Sequence, residues 1–155
     1  MPLFSASQLS TKAEQEILAM SYFQKDSNGN FYDTSATDTA QLMQDYYKHE
    51  KVETRSNVSA NDIKAELLKG NLVIVPINAD IIVNPNYTTI IGAHMLVVTG
   101  YDATTKEFIT NDPGTRRGEG FRYAADIFEK GIRDYITGHN IPITETHKRM
   151  IVVSS

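Results

Sequence analysis

Apolar positions recur at helical intervals in the first half of the chain and crowd into short extended runs in the second, and this change of period sets the architecture. Ala13, Ile17, Met20 and Phe23 follow a box-like start at Thr11-Lys12-Ala13-Glu14, predicting a helix over 11–25 that the turn residues Asp26-Ser27-Asn28-Gly29-Asn30 stop. Ser35-Ala36-Thr37-Asp38 leads into Ala40, Met43 and Tyr47 on one stripe, which predicts a second helix over 36–49. A third, over 59–69, runs from Ser59 through Ile63 and Leu67 to Gly70, the residue expected just past a helix end. The run Leu72-Val73-Ile74-Val75-Pro76-Ile77 then reads as a strand buried on both faces with Pro76 at its end. Residues 78–91 are irregular around the turn Asn84-Pro85-Asn86 and deliver the chain to two adjacent strands, His94 to Tyr101 and Glu107 to Asp112. Gly114, Gly118 and Gly120, with Arg116 and Arg117, make 111–120 a mobile surface loop, and the spacing of Ala124, Ile127, Phe128, Ile132 and Tyr135 predicts a helix over 123–136. Met150 to Val153 is a terminal strand added to the sheet. Helices first and strands later give an α+β class with a mostly antiparallel sheet, a single domain over 11–155 behind a flexible segment 1–10.

The two adjacent strands hold the candidate chemistry. His94, Leu96, Val98 and Gly100 share one face of the first, and Phe108, Thr110 and Asp112 share one face of the second, because side chains alternate along a strand. If the connection at 102–106 closes symmetrically about Thr104, Leu96 sits opposite Asp112 and His94 lies on its diagonal, roughly 7–8 Å away between backbones and within side-chain reach. A one-residue change of register would bring Asn111 to the His94 face instead. Asp112 is therefore the expected partner of His94, with Asn111 the alternative, and Pro113 ends the strand just beyond.

Composition narrows the partners. The chain has 155 residues, 41% of them hydrophobic, enough for one real core. Its formal charge of -4, with 15 basic and 19 acidic residues and no basic run, argues against nucleic acid. Its longest nearly apolar run, Ile90 to Val98, falls far short of the roughly 18 residues of a membrane span, and no secretory signal opens the chain. The cysteine count is 0, so no thiolate metal site or thiol nucleophile can come from these residues. A metal site from His94, Asp112, His139 and His147 lacks ligand spacing, and no cofactor is expected. His49, His139 and His147 read as surface residues. Arg116 and Arg117 suit a substrate carboxylate, or are solvated loop charges.

Three blocks together resemble the bacterial C39-like cysteine peptidases, a branch of the papain-like fold related to the peptidases that remove double-glycine leaders. They are Gly70-Asn71-Leu72-Val73-Ile74-Val75-Pro76, the histidine strand from Gly92 to Asp102, and Phe108-Ile109-Thr110-Asn111-Asp112-Pro113-Gly114 with the loop to Glu119. The resemblance covers nearly the whole chain from Ala13 onward. It implies a papain-like α+β fold and peptide-bond hydrolysis by a cysteine near the N-terminus of an early helix. His94 matches the general base and Asp112 the residue that orients it. A helix N-terminus and a neighbouring imidazolium lower a thiol pKa from about 8.5 to as little as about 3.5, and the orienting carboxylate fixes the imidazole's tautomer. The nucleophile has no match: the place for the cysteine, and for the glutamine that helps form an oxyanion hole, falls before Met1. Gln8 sits early enough to invite comparison with that glutamine, but only Ser10 or Thr11 follows it, and both read as helix caps. The expectation is thus a peptidase domain without its nucleophilic helix, truncated or inactive as it stands, or a non-catalytic peptide-binding module. The resemblance points to a peptide or protein substrate and to the cell envelope or extracellular space. Loss of the helix predicts exposed apolar surface near His94 and self-association through it.

Overall fold

The change of period at Leu72 is the point where the chain enters its sheet. The computed structural model describes residues 6–89, 91–138, 143, 144 and 146–155. Among them run α1 (Ala6–Asn28), α2 (Ala36–Asp45), β1 (Val52–Ser56), α3 (Ala60–Leu68), β2 (Leu72–Asn78), β3 (Ala93–Asp102), β4 (Glu107–Asn111), β5 (Glu119–Ala124), α4 (Ala125–Gly131) and β6 (Arg149–Val153). The strands form one sheet in the order β1-β6-β2-β3-β4-β5, antiparallel at every pairing. The α+β class and antiparallel sheet expected from the sequence are present.

Each face of the sheet has its own cover. Val73, Val75 and Ile77 of β2, Leu96 and Val98 of β3 and Phe108 of β4 pack with Ile63 of α3 and Phe128 of α4 into the main core. The other face carries a smaller cluster, Ala36 and Ala40 of α2 against Val52 and Ile151, with Met43, Ile74 and Met95 at its margin. The N-terminus of α2 is fixed twice: Ser35 Oγ accepts the Asp38 N–H at 3.1 Å, and buried Asp134 accepts the Ala36 N–H at 3.0 Å. Asp134 is itself paired to Arg149 of β6 at 2.8 Å, so the chain after α4 is tied to both α2 and the sheet. By contrast α1 is exposed from Ser10 to Ala19, and it meets the body from its middle onward, where Glu16 and Met20 reach Tyr47, Phe23 packs on Tyr46 and Gln24 is buried.

Several expectations are corrected. Residues 6–10, read as flexible, are the first turns of α1, so Thr11 lies inside the helix and not at its start. The second helix stops at Asp45, four residues early. Leu72 is 47% exposed, so β2 is buried on one face and only partly on the other. Pro76 is tolerated inside β2 because β6 pairs only as far as Ile74, and the Pro76 carbonyl, pointing away from β3, accepts the Arg133 N–H at 3.0 Å. Residues 119–124 are a strand, and the predicted helix shrinks to Ala125–Gly131, with Ile132 bridging extended to Ile77. β1 was not anticipated at all. His139 lies outside the described residues.

Candidate active site

A β-bulge decides which residue meets His94. The turn at 103–106 sets Asp102 opposite Glu107, Tyr101 opposite Phe108 and Gly100 opposite Ile109. Continued unbroken, that register would turn Asn111 to the His94 face. Thr99 instead bulges out of β3, so the ladder resumes with Val98 opposite Thr110 and Val97 opposite Asn111. Its next step puts Leu96 level with Asp112 and His94 on the diagonal. The bulge also corrects the phase of β3, letting Leu96 and Val98 before it and Tyr101 after it all face the main core. Asn111 is exposed on the opposite face, its side-chain oxygen accepting the Gly120 N–H at 3.2 Å.

His94 Nε2 lies 2.7 Å from Asp112 Oδ1, with the imidazole 13% exposed and the carboxylate 0%. Five donors converge on that carboxylate. Oδ1 accepts from His94 and from the Gly114 N–H at 2.8 Å, and Oδ2 accepts from Tyr87 Oη at 2.6 Å, Tyr123 Oη at 2.9 Å and Asn84 Nδ2 at 3.1 Å. A buried carboxylate without partners would be costly, so this cage is what lets Asp112 stay ionised. Burial alone pushes its pKa up. The hydrogen bonds from His94, Tyr87, Gly114 and Tyr123 outweigh that push and hold the carboxyl well below the usual range. The tyrosines respond in the opposite sense: burial, with the hydrogen bond to Asp112, pushes Tyr87 far up and Tyr123 up to about 12, so both remain donors at any physiological pH. The Tyr87 ring also stands edge-on to the imidazole, 5.8 Å between centroids, and fixes its plane.

Two glycines permit the close approach. A Cβ on Gly114 would stand 2.9 Å from His94 Nε2 and 3.1 Å from Asp112 Oδ1, and one on Gly118 would stand 1.8 Å from the Asp112 carbonyl oxygen. The stretch 112–118 between β4 and β5 is accordingly a hydrogen-bonded turn, closed by Asp112 N–H to the Gly118 carbonyl at 3.0 Å.

With Nε2 engaged, Nδ1 has no hydrogen-bond partner among the described residues, and His94 lines a cleft of about 380 Å³ with Ala93, Met95, Met20, Gln24 and Leu42. An Nε2–H donated to Asp112 leaves Nδ1 with the basic lone pair. Ser10 and Thr11 sit about 15 Å up α1 from Met20 of that cleft, counted at 1.5 Å per residue, which gives neither hydroxyl a place beside Nδ1. Arg116 and Arg117 are exposed in a separate groove, beyond Gly114. Among the described residues no three His, Cys, Asp or Glu side chains gather as metal ligands, and no helix is long and apolar enough to cross a membrane. Tyr87, Asn84 and Tyr123 were not identified from the sequence. Tyr123 had a signal: Phe121 and Tyr123 flank Arg122 in strand alternation.

The crystal structure of a proposed C39-like peptidase from Bacillus anthracis superposes with a TM-score of 0.52 at 16% identity over 79% of this chain, which shows a shared fold. The chain spans 60% of that protein's length. No curated protein matches it significantly. The sequence profile of the Peptidase C39 like family matches residues 5–141, and the chain belongs to that family.

Proposed function

We propose that this is a cysteine-peptidase-type domain in which His94 is the general base and Asp112 orients it, acting on a peptide bond with a thiol supplied from outside these 155 residues. The observation that carries the reading is the 2.7 Å bond from His94 Nε2 to a five-donor carboxylate, which leaves Nδ1 unengaged on a histidine that lines a cleft. A thiol within hydrogen-bond reach of Nδ1 passes its proton there, and the resulting imidazolium is stabilised by ionised Asp112. The thiolate then attacks the peptide carbonyl, and the imidazolium returns the proton to the leaving amine. Alone, the chain supplies base and orienter but no nucleophile, and it is expected to be inactive by several orders of magnitude.

The zero cysteine count favours a second reading, a peptide-binding module that does not cut. The test joins the chain to the sequence encoded immediately upstream of Met1 and measures thiol-dependent peptide cleavage. Cleavage abolished by His94→Ala and strongly reduced by Asp112→Asn supports the peptidase reading. No cleavage overturns it in favour of the binding module, and cleavage indifferent to His94→Ala overturns the role of His94 as base.

A further inference from the structure

Two depressions of opposite polarity flank His94. The cleft on the α1–α2 side contains Asp33, and no lysine or arginine lines it. On the other side, beyond Gly114, a groove of about 460 Å³ is lined by Arg116 and Arg117 with the neutral groups of Asn86, Thr88 and Thr115, and by no acidic residue. Gly114 lines this groove and also borders His94, since a Cβ there would stand 2.9 Å from His94 Nε2.

The arginines of this groove differ from every other arginine in the chain. Arg55 is paired with Glu53 and Glu66, Arg122 with Asp102 and Glu107, and Arg149 with Asp134, while Arg133 donates to the Ile132 carbonyl. Among the described residues Arg116 and Arg117 have no such partner. An acidic chain, formally -4, thus leaves two adjacent guanidinium groups unneutralised beside its candidate catalytic histidine. Planar guanidinium forks suit carboxylates, and the hydroxyls of Thr88 and Thr115 and the Asn86 amide add neutral donors nearby.

We propose that Arg116 and Arg117 form a subsite for a substrate carboxylate, so that peptides carrying one near the cleavage point are preferred. The assignment rests on reading His94 as the working centre, and it names the substrate class for that centre. The carboxylate comes either from the peptide's C-terminus or from an Asp or Glu side chain. Asp33, on the other side of His94, gives the site a direction: an anionic group lies toward Gly114 and is disfavoured toward α1.

The test uses the chain as it is, ¹⁵N-labelled, and follows the Gly114 and Thr115 amides and the Arg116 and Arg117 Nε–H signals. Four probes are titrated at low salt: acetyl-tetra-alanine with a free carboxylate, its C-terminal amide, the amide of acetyl-Ala-Ala-Asp-Ala, and inorganic phosphate. A carboxylate-bearing peptide should bind about three- to ten-fold tighter than the neutral amide, with the preference shrinking in high salt. Arg116→Gln with Arg117→Gln should abolish the preference, and Lys64→Gln, on α3 over the Tyr101 ring at the far end of the sheet's β3, should retain it. Whichever acidic peptide shows the preference identifies the source of the carboxylate. Equal binding of the neutral amide overturns the proposal, as does a preference that survives the double replacement, or phosphate binding these groups more tightly than either acidic peptide. The readout is binding without cleavage, so it fails or succeeds separately from the base role of His94: loss of cleavage in His94→Ala bears on that role and leaves this preference untouched.

Discussion

The β3–β4 hairpin carries an aspartate at each end, and the two live under different physics. Asp102, at the closed end, is 29% exposed and accepts from Arg122 at 2.9 Å and from the Thr104 N–H, a turn-forming contact, at 2.9 Å. The Arg122 hydrogen bond, then those of the Thr105 and Thr104 amides, hold its carboxyl below the usual range. Asp112, at the open end, has a side chain at 0% exposure and five donors. Water can replace any partner lost by Asp102. Nothing can replace a partner lost by Asp112, so polar detail there is structural as well as chemical.

Removing the buried carboxylate altogether breaks the comparison hardest. Asp112→Ala strands His94, Tyr87, Tyr123 and Asn84 without an acceptor, and the expected loss is about 3–5 kcal/mol, roughly 10 °C in melting temperature for a chain this size. Thermal unfolding checks it, and a loss below 1 kcal/mol would mean the cage is not as closed as its distances imply. Next comes Gly118→Ala, whose methyl group would meet the Asp112 carbonyl at 1.8 Å; overpacking of this kind costs about 1–3 kcal/mol, read from the denaturant midpoint. Tyr123→Phe removes one of the five donors and is expected to cost about 1–2 kcal/mol.

A pH series sharpens the contrast. A carboxyl whose pKa is lower folded than unfolded contributes stability that is present above the unfolded value, about 3.9, and is lost as pH falls toward the folded value. Wild-type stability should therefore decline below about pH 5 and keep declining through pH 3. Asp112→Asn should flatten that decline. Part will remain, since Glu66, held at about 2 by Lys69, Asn71 and Arg55 against the opposing effect of burial, titrates in the same direction. If the slope is unchanged in Asp112→Asn, the carboxylate is not held ionised by its cage. The smallest effect belongs to Asp102→Asn, which should leave the thermal midpoint within error.

The same contrast between interior and rim governs what the sequence revealed. β2, β3, β4 and β6 occupy the middle of the sheet, and their β-branched runs are visible because burial demands them. The two strands that escaped, β1 and β5, are its edges. β1 reads Val52-Glu53-Thr54-Arg55-Ser56, with one apolar residue among five, and an edge strand needs no more. In β5 the Phe121-Arg122-Tyr123 alternation was overridden by a helical spacing that extends across Ala124 to Tyr135 but holds only through Gly131. The pairing of His94 with Asp112 was legible from the period of two, yet the choice of Asp112 over Asn111 rested on a symmetric turn. The structure reaches the same partner by another route, a turn offset by one residue and then the Thr99 bulge, which a count of residues does not disclose. Asn84 and Tyr87 come from an irregular loop and reach Asp112 across 28 and 25 residues, a convergence no local pattern encodes.

The central claim is that Asp112 holds His94 as the Nε2–H tautomer, with Nδ1 open to a nucleophile's proton. Long-range ¹H–¹⁵N correlation spectra of the imidazole, recorded at a pH well above the ordinary histidine range, test it directly. The account predicts a protonated Nε2, a slowly exchanging Hε2 shifted downfield, and an unprotonated Nδ1, with the Hε2 signal lost in Asp112→Ala. A neutral ring protonated at Nδ1, or a spectrum unchanged by Asp112→Ala, would contradict it.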